Sequence, residues 1–428
     1  MTTPAEPQPT RRSAPVARIL SFITGTVVLC VLIGGLIAFG SSRDHRGSSA
    51  EFVSSEAPGN EATPSADLGI QWATWGRSSQ HDRYARDAVI APPLAAPAWQ
   101  FRAGAPVEHP PVVGVELLFV GVSNGDLVAL DRLTGTVEWR RSTGAPIDSS
   151  PIVRDERVYV GTRDGHLHAY DLDGQRLWRF RAESAIEGAP NEADGKVIVG
   201  SHDGRVYAID PSDGSEIWSV RGGAEFKGSP AFAGGIVYAG NYDGNLLAIR
   251  ARDGEVLWST QTRREFGFGG SLFSSPSVAY GRVFIGSTDG RMYAIGARSG
   301  DELWWSSTGD WVYASPAVAH QTVFVGSYDG SFYAFDARTG AERWRFEADD
   351  RIAGSATVID DAVFFSTLGR TTYALDVRTG RRIWSTRAGG RGGVSTDGRW
   401  LWLAAGDAVL GYNNEAQLPT GARRSVNS

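Results

Sequence analysis

Eight tryptophans recur along this chain at a nearly fixed spacing: Trp99, Trp139, Trp178, Trp218, Trp258, Trp304, Trp344 and Trp384. The successive intervals are 40, 39, 40, 40, 46, 40 and 40 residues. A repeating unit of about 40 residues is one supersecondary element, too small to bury a core of its own. Such units become stable by packing against copies of themselves, in a line or around an axis.

Each unit carries three further marks. A small-small-Pro triplet comes first, as in Ser149-Ser150-Pro151 and Ser274-Ser275-Pro276. Fourteen residues after each proline stands the glycine of an Asp-Gly or Asn-Gly pair, as at Gly125, Gly165 and Gly330. A second glycine follows about ten residues on, at Gly135, Gly174 and Gly214 for example, four residues before the tryptophan. Between these marks lie short runs such as Val158-Tyr159-Val160 and Val323-Phe324-Val325. Their length and their β-branched and aromatic content suit strands. Asp-Gly and Asn-Gly favour hairpins, so neighbouring strands are antiparallel. Each unit therefore holds four strands, A to D, with the proline on A and the tryptophan on D. Four-stranded sheets repeated radially are propeller blades.

Eight tryptophans require eight D strands, yet only seven complete units follow Trp99. The eighth blade must be composite. Val394-Ser395, Leu401-Trp402-Leu403 and 409–412 supply its A, B and C strands, and 94–101 supplies D. The fold class expected is all-β, an eight-bladed β-propeller of four-stranded antiparallel blades preceded by a transmembrane helix.

That helix is read from 19–40, 22 residues without a charge between Arg18 and Arg43. As a helix it spans roughly 33 Å, enough for a bilayer core. The run is longer than the apolar part of a cleaved signal, which favours a retained anchor over cleavage after Ala38-Phe39-Gly40. Leu29 before Cys30 argues against lipidation there. Arg11, Arg12 and Arg18 precede the span and Arg43 and Arg46 follow it, a slight bias toward an inside N-terminus. The organisation expected is a cytoplasmic tail (1–18), an anchor (19–40), a flexible linker rich in Ser, Ala, Glu and Pro (41–70), the propeller (71–415) and a polar tail (416–428). The protein would cross a bacterial cytoplasmic membrane once, with its propeller in the periplasm or outside the cell.

Cys30 is the one cysteine, so no intrachain disulfide or thiolate cluster can form. The net charge is −6 with no block of like charge, which gives little electrostatic support to nucleic-acid binding. His166 and His168 share a strand face, and His202 lies at the equivalent turn of the next unit. Zinc takes such trios, but isolated surface histidines are the simpler reading, and no metal is expected. Every glycine pair is accounted for by a hairpin, leaving no nucleotide loop.

The segment Ala-x-Asp-x-x-(Thr/Asp)-Gly-x-x-x-Trp appears as Ala129, Asp131, Gly135, Trp139, and again as Ala208, Asp210, Gly214, Trp218 and Ala334, Asp336, Gly340, Trp344. It resembles the tryptophan-docking repeat of the PQQ-like, quinoprotein-type β-propellers, over roughly 72–412. Arg250 and Gly296 depart from it at the aspartate position. The resemblance implies that the tryptophans pack between blades, a structural role. It also implies two outcomes. PQQ-dependent dehydrogenases of alcohols or sugars usually carry paired cysteines beside the quinone and a calcium near a catalytic aspartate. Non-catalytic members include a component of outer-membrane barrel assembly. The bare repeats and the lack of cysteine outside the apolar run favour the second outcome, with neither catalytic residues nor a resident cofactor. PQQ-dependent oxidation is the alternative. Partners expected are other membrane or envelope proteins, or a small polar ligand or peptide.

In such propellers the D-to-A and B-to-C connections share one face, the binding mouth. Three residues before each A-strand proline position stand Glu108, Asp148, Glu187, Lys227, Phe273 and Tyr313, then Ala353 and Gly393. Two residues earlier stand Glu225, Trp311, Arg351 and Arg391. Equivalent positions in a ring face one axis, so an acidic arc on the first three blades should face aromatic and basic groups elsewhere. The 46-residue interval adds six residues to the loop before the fifth blade, including Phe266 and Phe268. A long loop on a rigid scaffold is a functional candidate.

Overall fold

The computed structural model describes residues 76–414, except 87, 263, 266 and 267. The expected tails, anchor and linker (1–70 and 416–428) lie outside the described residues. Among the described residues no helix is long and apolar enough to cross a membrane.

Eight blades close into a ring. In blade 1 the strands are Val112–Val113, Leu117–Gly121, Asp126–Asp131 and Val137–Ser142, each hydrogen-bonded to the next. Blades 2 to 7 repeat that order. Blade 8 is composite: Val394–Thr396, Trp400–Ala405 and Ala408–Asn413 are completed by Trp99–Arg102 from the start of the domain. Its B–C hairpin, across Gly406-Asp407, has two residues where blade 2 has four, 162–165.

B and C strands are buried on both faces because a neighbouring blade covers each one. Leu118, Phe119 and Val120 are all inaccessible, as are Val323, Phe324 and Val325. D strands form the outer wall, and in Val137–Ser142 only Trp139 is buried. Hydrophobic clusters accordingly lie between blades. One joins Phe119 and Leu127 of blade 1 to Val158 and Val160 of blade 2. Another joins Trp402 and Phe101 of blade 8 to Val120 and Val128 of blade 1, and so seals the ring.

The tryptophan–glycine spacing has a direct cause. Seven of the eight rings, Trp99 to Trp344, lie flat on the C–D glycine of the following blade. A Cβ on Gly214 would sit 2.6 Å from the Trp178 ring, and one on Gly380 2.6 Å from Trp344. These glycines also adopt positive φ, +79° at Gly214, which a side chain disfavours. The indole N–H of each docked ring then donates to a carbonyl in the same turn: Trp139 to Leu172 at 2.7 Å, Trp218 to Ala251 at 2.9 Å. An aromatic side chain of this size buries ~150–250 Å², worth several kcal/mol in gross terms at ~25 cal/mol per Å². Trp99 is the exception. Its ring lies on Gly135, but the carbonyl it would reach, Arg132, accepts from Trp402 instead (3.3 Å).

Two features depart from the simple repeat. Tyr84–Ala85 pairs in parallel with the A strand Thr357–Ile359, giving blade 7 a fifth strand. The six-residue insertion, expected as a plain loop, contains a two-stranded hairpin, Arg264–Glu265 with Phe268–Gly269.

Candidate functional site

The A strands converge on the axis, and the small-small-Pro triplets make that convergence possible. A Cβ on Gly188 would come within 2.8 Å of the Gly228 carbonyl oxygen, and one on Gly228 within 2.9 Å of that of Ser274. Serines at the same level link blade to blade. The N–H of Ala189 donates to Ser229 Oγ, Ser229 to Ser275, Ser275 to Ser315 and Ser315 to Ser355, at 2.8 to 3.2 Å. This belt is the floor of the mouth.

Below the belt the channel is filled by 79–85. Its carbonyls accept from the innermost strands of four successive blades: Ser79 from Phe232, Gln80 from Val278, Asp82 from Val318 and Arg83 from Val358. The Asn191 amide donates to the Ser79 and Pro230 carbonyls, both at 2.9 Å. His81 is fully buried, with Nδ1 3.2 Å from the Pro276 carbonyl. Burial, reinforced by the Arg83 charge, lowers its pKa to about 3, so the ring is neutral and Nδ1–H is the donor. The buried Arg83 guanidinium donates to the Ala356 carbonyl and to Thr357 Oγ1. The axis is thus a blind funnel.

Above the belt is a cavity of about 380 Å³. Glu108, Asp148, Glu187, Lys227, Phe273 and Tyr313 all line it, as do Ala353 and Arg391. The positional equivalence read from the repeat therefore brings these residues to one bowl. Trp311 and Arg351 stand beside it: Trp311 is 47 % exposed, and the Arg351 guanidinium lies 5.7 Å from the Tyr328 ring centre. Phe266 lies outside the described residues, and Phe268 falls in the short hairpin of the inserted loop.

The B–C loops supply residues that the sequence did not single out for the mouth. Arg163 and Tyr328 line it, with His202 and Tyr242 in contact with its walls. All four stand two residues before the Asp-Gly glycine, a regularity visible in the repeat. Each is fixed by its backbone, because its N–H donates to the adjoining D–A loop: Arg163 to Pro146, His202 to Ala185, Tyr242 to Glu225 and Tyr328 to Trp311, at 2.9 to 3.0 Å.

The two halves of the bowl differ. On the acidic side Arg163 binds Asp148 and lies 3.7 Å from Glu187. Glu187 also meets Lys227 at 3.3 Å and His202 at 3.5 Å. Loss of water contact lowers the His109 imidazole to about 4, so it is neutral at pH 7. On the other side the rings form a row. Tyr242 meets Phe273 edge-on at 4.5 Å. Phe273 and Tyr313 then stack at 4.7 Å, Tyr313 and Tyr328 at 5.0 Å, and Tyr328 and Trp311 at 6.1 Å. Burial, followed by Glu187 and Glu225, pushes the Tyr242 phenol up to about 12.

The histidine trio does not assemble, and its members are not surface residues of one kind. His166 and His168 are buried, while His202 is on the rim. The face of blade 2 that carries His166 and His168 is covered by blade 1, so polar alternation did not signify exposure. His166 Nδ1 is 2.8 Å from Asp164, and its ring centre is 5.8 Å from that of His168.

A family model described as outer membrane protein assembly factor BamB matches residues 88–219, 173–304 and 265–358, together well over half the chain. The chain belongs to that family. Solved structures share the BamB-family fold. BamB from Moraxella catarrhalis is 18 % identical with a TM-score of 0.65, over 74 % of this chain and 99 % of that one. The computationally designed Ika8 protein has the same identity and TM-score, over 74 % of this chain and all of its own. The quinohemoprotein alcohol dehydrogenase ADHIIG from Pseudomonas putida HK5 is 16 % identical with a TM-score of 0.70, over 84 % of this chain and 82 % of that one. No curated protein matches the sequence.

Two of the acidic residues in the mouth of this BamB-family propeller are held in ion pairs. Asp148 and Glu187 are engaged by Arg163 and Lys227. Among the described residues no three His, Cys, Asp or Glu side chains converge to hold a metal, and Cys30 lies outside them.

Proposed function

We propose that this protein is a membrane-anchored, non-enzymatic propeller outside the cytoplasm that binds envelope partners or a polar ligand through its mouth, in the service of envelope protein assembly. The observation that carries the reading is the convergence of acidic, aromatic and basic residues on one bowl with a blind floor. Family membership supports the envelope role, and the apolar run 19–40 supports the anchor.

The test is photo-cross-linking in native membranes. A cross-linking residue at position 311, on the mouth, should capture a discrete envelope protein. The same residue at 194, in an A–B turn on the opposite face, should not. Substituting Trp311, Phe268 and Arg351 together with alanine should abolish capture from a cross-linking residue placed instead at the adjacent exposed position 310. Equal capture from both faces would sink the mouth as the binding surface. Reduction of an artificial dye by alcohols or sugars, after incubation with PQQ and calcium, would overturn the non-enzymatic reading.

A further inference from the structure

Every outer strand of the ring has one open edge, because D pairs only with C. Such an edge is a row of unpaired backbone groups, and proteins commonly guard it with charge. Seven of the eight outer strands carry a charged side chain. In six of them it is an arginine, as at Arg140, Arg221, Arg345 and Arg382. Blade 5 has only Glu302, but there Leu303 and Trp305 are buried. Blade 4 has neither charge nor cover. Its outer strand, Val256–Gln261, reads Val-Leu-Trp-Ser-Thr-Gln. Val256 is 43 % exposed and Leu257 37 %.

The ladder shows which backbone groups of this strand are open. The N–H of Thr262 donates inward to the Gly244 carbonyl. Opposed antiparallel residues are hydrogen-bonded at every second position. Thr260 and Trp258 therefore also turn their backbone groups to the C strand, while Ser259 and Gln261 turn theirs outward. Both are exposed, and each offers one donor and one acceptor. Donors and acceptors at strand spacing match one shape, a second extended backbone. The charges just before the strand are already matched: Glu255 and Asp253 by Arg250, and Asp253 by Arg252 as well. Nothing along the edge would repay a charged side chain for its lost water, so the segment that fits is uncharged.

We propose that the outer edge of blade 4 takes up an extended, uncharged segment of a partner polypeptide as a fifth strand, hydrogen-bonded to the backbone of Ser259 and Gln261. The ring already contains one such addition. Tyr84–Ala85 joins blade 7 as a fifth strand at its inner edge. The blade 4 edge lies on the outer wall, apart from the mouth, and its use does not depend on the mouth being a binding surface.

The experiment is fluorescence anisotropy of the full-length protein in detergent micelles. The probe is a dye-labelled peptide of Val-Thr repeats between Gly-Ser ends, read against protein-free micelles. The peptide is expected to bind. Ser259→Pro removes an outward N–H and leaves the inner ladder intact, and Ser259→Lys adds the guard that the other strands carry. Each should weaken binding about tenfold, the scale of one or two lost hydrogen bonds. Ser259→Thr keeps the backbone and should bind as the parent does. So should Ser385→Lys, at the same register of blade 7. Circular dichroism should show all forms folded. No binding to the folded protein overturns the proposal, as does binding indifferent to both Ser259→Pro and Ser259→Lys. Light scattering is read alongside. A dimer that Ser259→Lys dissociates would overturn the partner and give the edge to a second copy of the chain. Capture from position 311 should be the same in the Ser259→Lys form, so failure at the edge and failure at the mouth are told apart.

Discussion

The indole N–H of Trp384 donates to the carbonyl of Leu94 at 2.9 Å, across 290 residues of sequence. Trp178 and Trp344 make the same bond to carbonyls 33 residues ahead. Leu94 therefore occupies, from the other end of the domain, the place a C–D turn fills elsewhere. Trp384→Phe keeps an aromatic six-membered ring and removes the donor together with the pyrrole part of the indole. It should cost about 1–2 kcal/mol in urea unfolding. Amide exchange should rise first in Trp99–Arg102, the strand that follows Leu94.

The tryptophan–glycine contact can be separated from backbone strain. Gly214→Ala combines a Cβ at 2.6 Å from Trp178 with a φ of +79°, and should lose about 2–4 kcal/mol. Gly223→Ala has a φ of +92° with nothing within 4 Å of the added carbon, and should lose only about 1 kcal/mol. Equal losses would show that the docked ring is not tightly seated.

Acid should loosen the propeller through His81 and His168, as through His109 at the mouth, whose imidazole is lowered to about 4. Burial, with the Arg83 charge, lowers His81 to about 3, and burial, with the His166 charge, lowers His168 to about 4. Both folded values lie below the unfolded 6.5, so the unfolded chain binds protons first. Stability is whole above pH 6.5 and falls on acidification toward pH 4, by up to about 1.4 kcal/mol per pH unit for each group. His168→Leu should remove one such contribution and flatten the profile. It should also raise stability near pH 7 by about 1 kcal/mol, because neither ring nitrogen of His168 has a hydrogen-bond partner among the described residues. Blade 4 already carries Leu247 at this register. Urea midpoints from pH 4 to 8 read both effects.

Asn191→Ala should take the amide donor from the Pro230 carbonyl and one of two donors from the Ser79 carbonyl on the axis, at a cost of about 1–3 kcal/mol. Faster exchange of the Phe232 amide, which donates to Ser79, would locate the loss in the channel.

The blade count, the composite blade and the residues brought to the bowl were legible because repetition makes position meaningful. Knowing where Glu108 sits in one unit places Phe273 and Tyr313 in others. The channel filling was not legible. Segment 79–85 has no periodicity, and its partners Phe232, Val278, Val318 and Val358 are reached mainly through backbone atoms, which carry no residue code. The burial of His168 was hidden for a related reason: alternation marks exposure only where one sheet face meets water, and a blade has neighbours on both. Arg163, Tyr242 and Tyr328 had a positional signal, two residues before the hairpin glycine, in B–C connections already expected at the mouth; which residue of each loop turns toward the cavity is set by its N–H bond to the D–A loop, a backbone contact with no residue code.

The composite eighth blade also imposes an order of events. Trp99–Arg102 pairs with Ala408–Asn413, so the first of the blade strands made has no sheet to join until about 300 residues more have been synthesised. At ~5–20 residues per second that is roughly 15–60 s. Throughout this interval an open strand edge and the apolar flank of blade 1 wait together. The ring is therefore completed by its last-made residues, and a chain stopped short of Asn413 would carry the full mouth sequence on a cylinder with one seam unsewn.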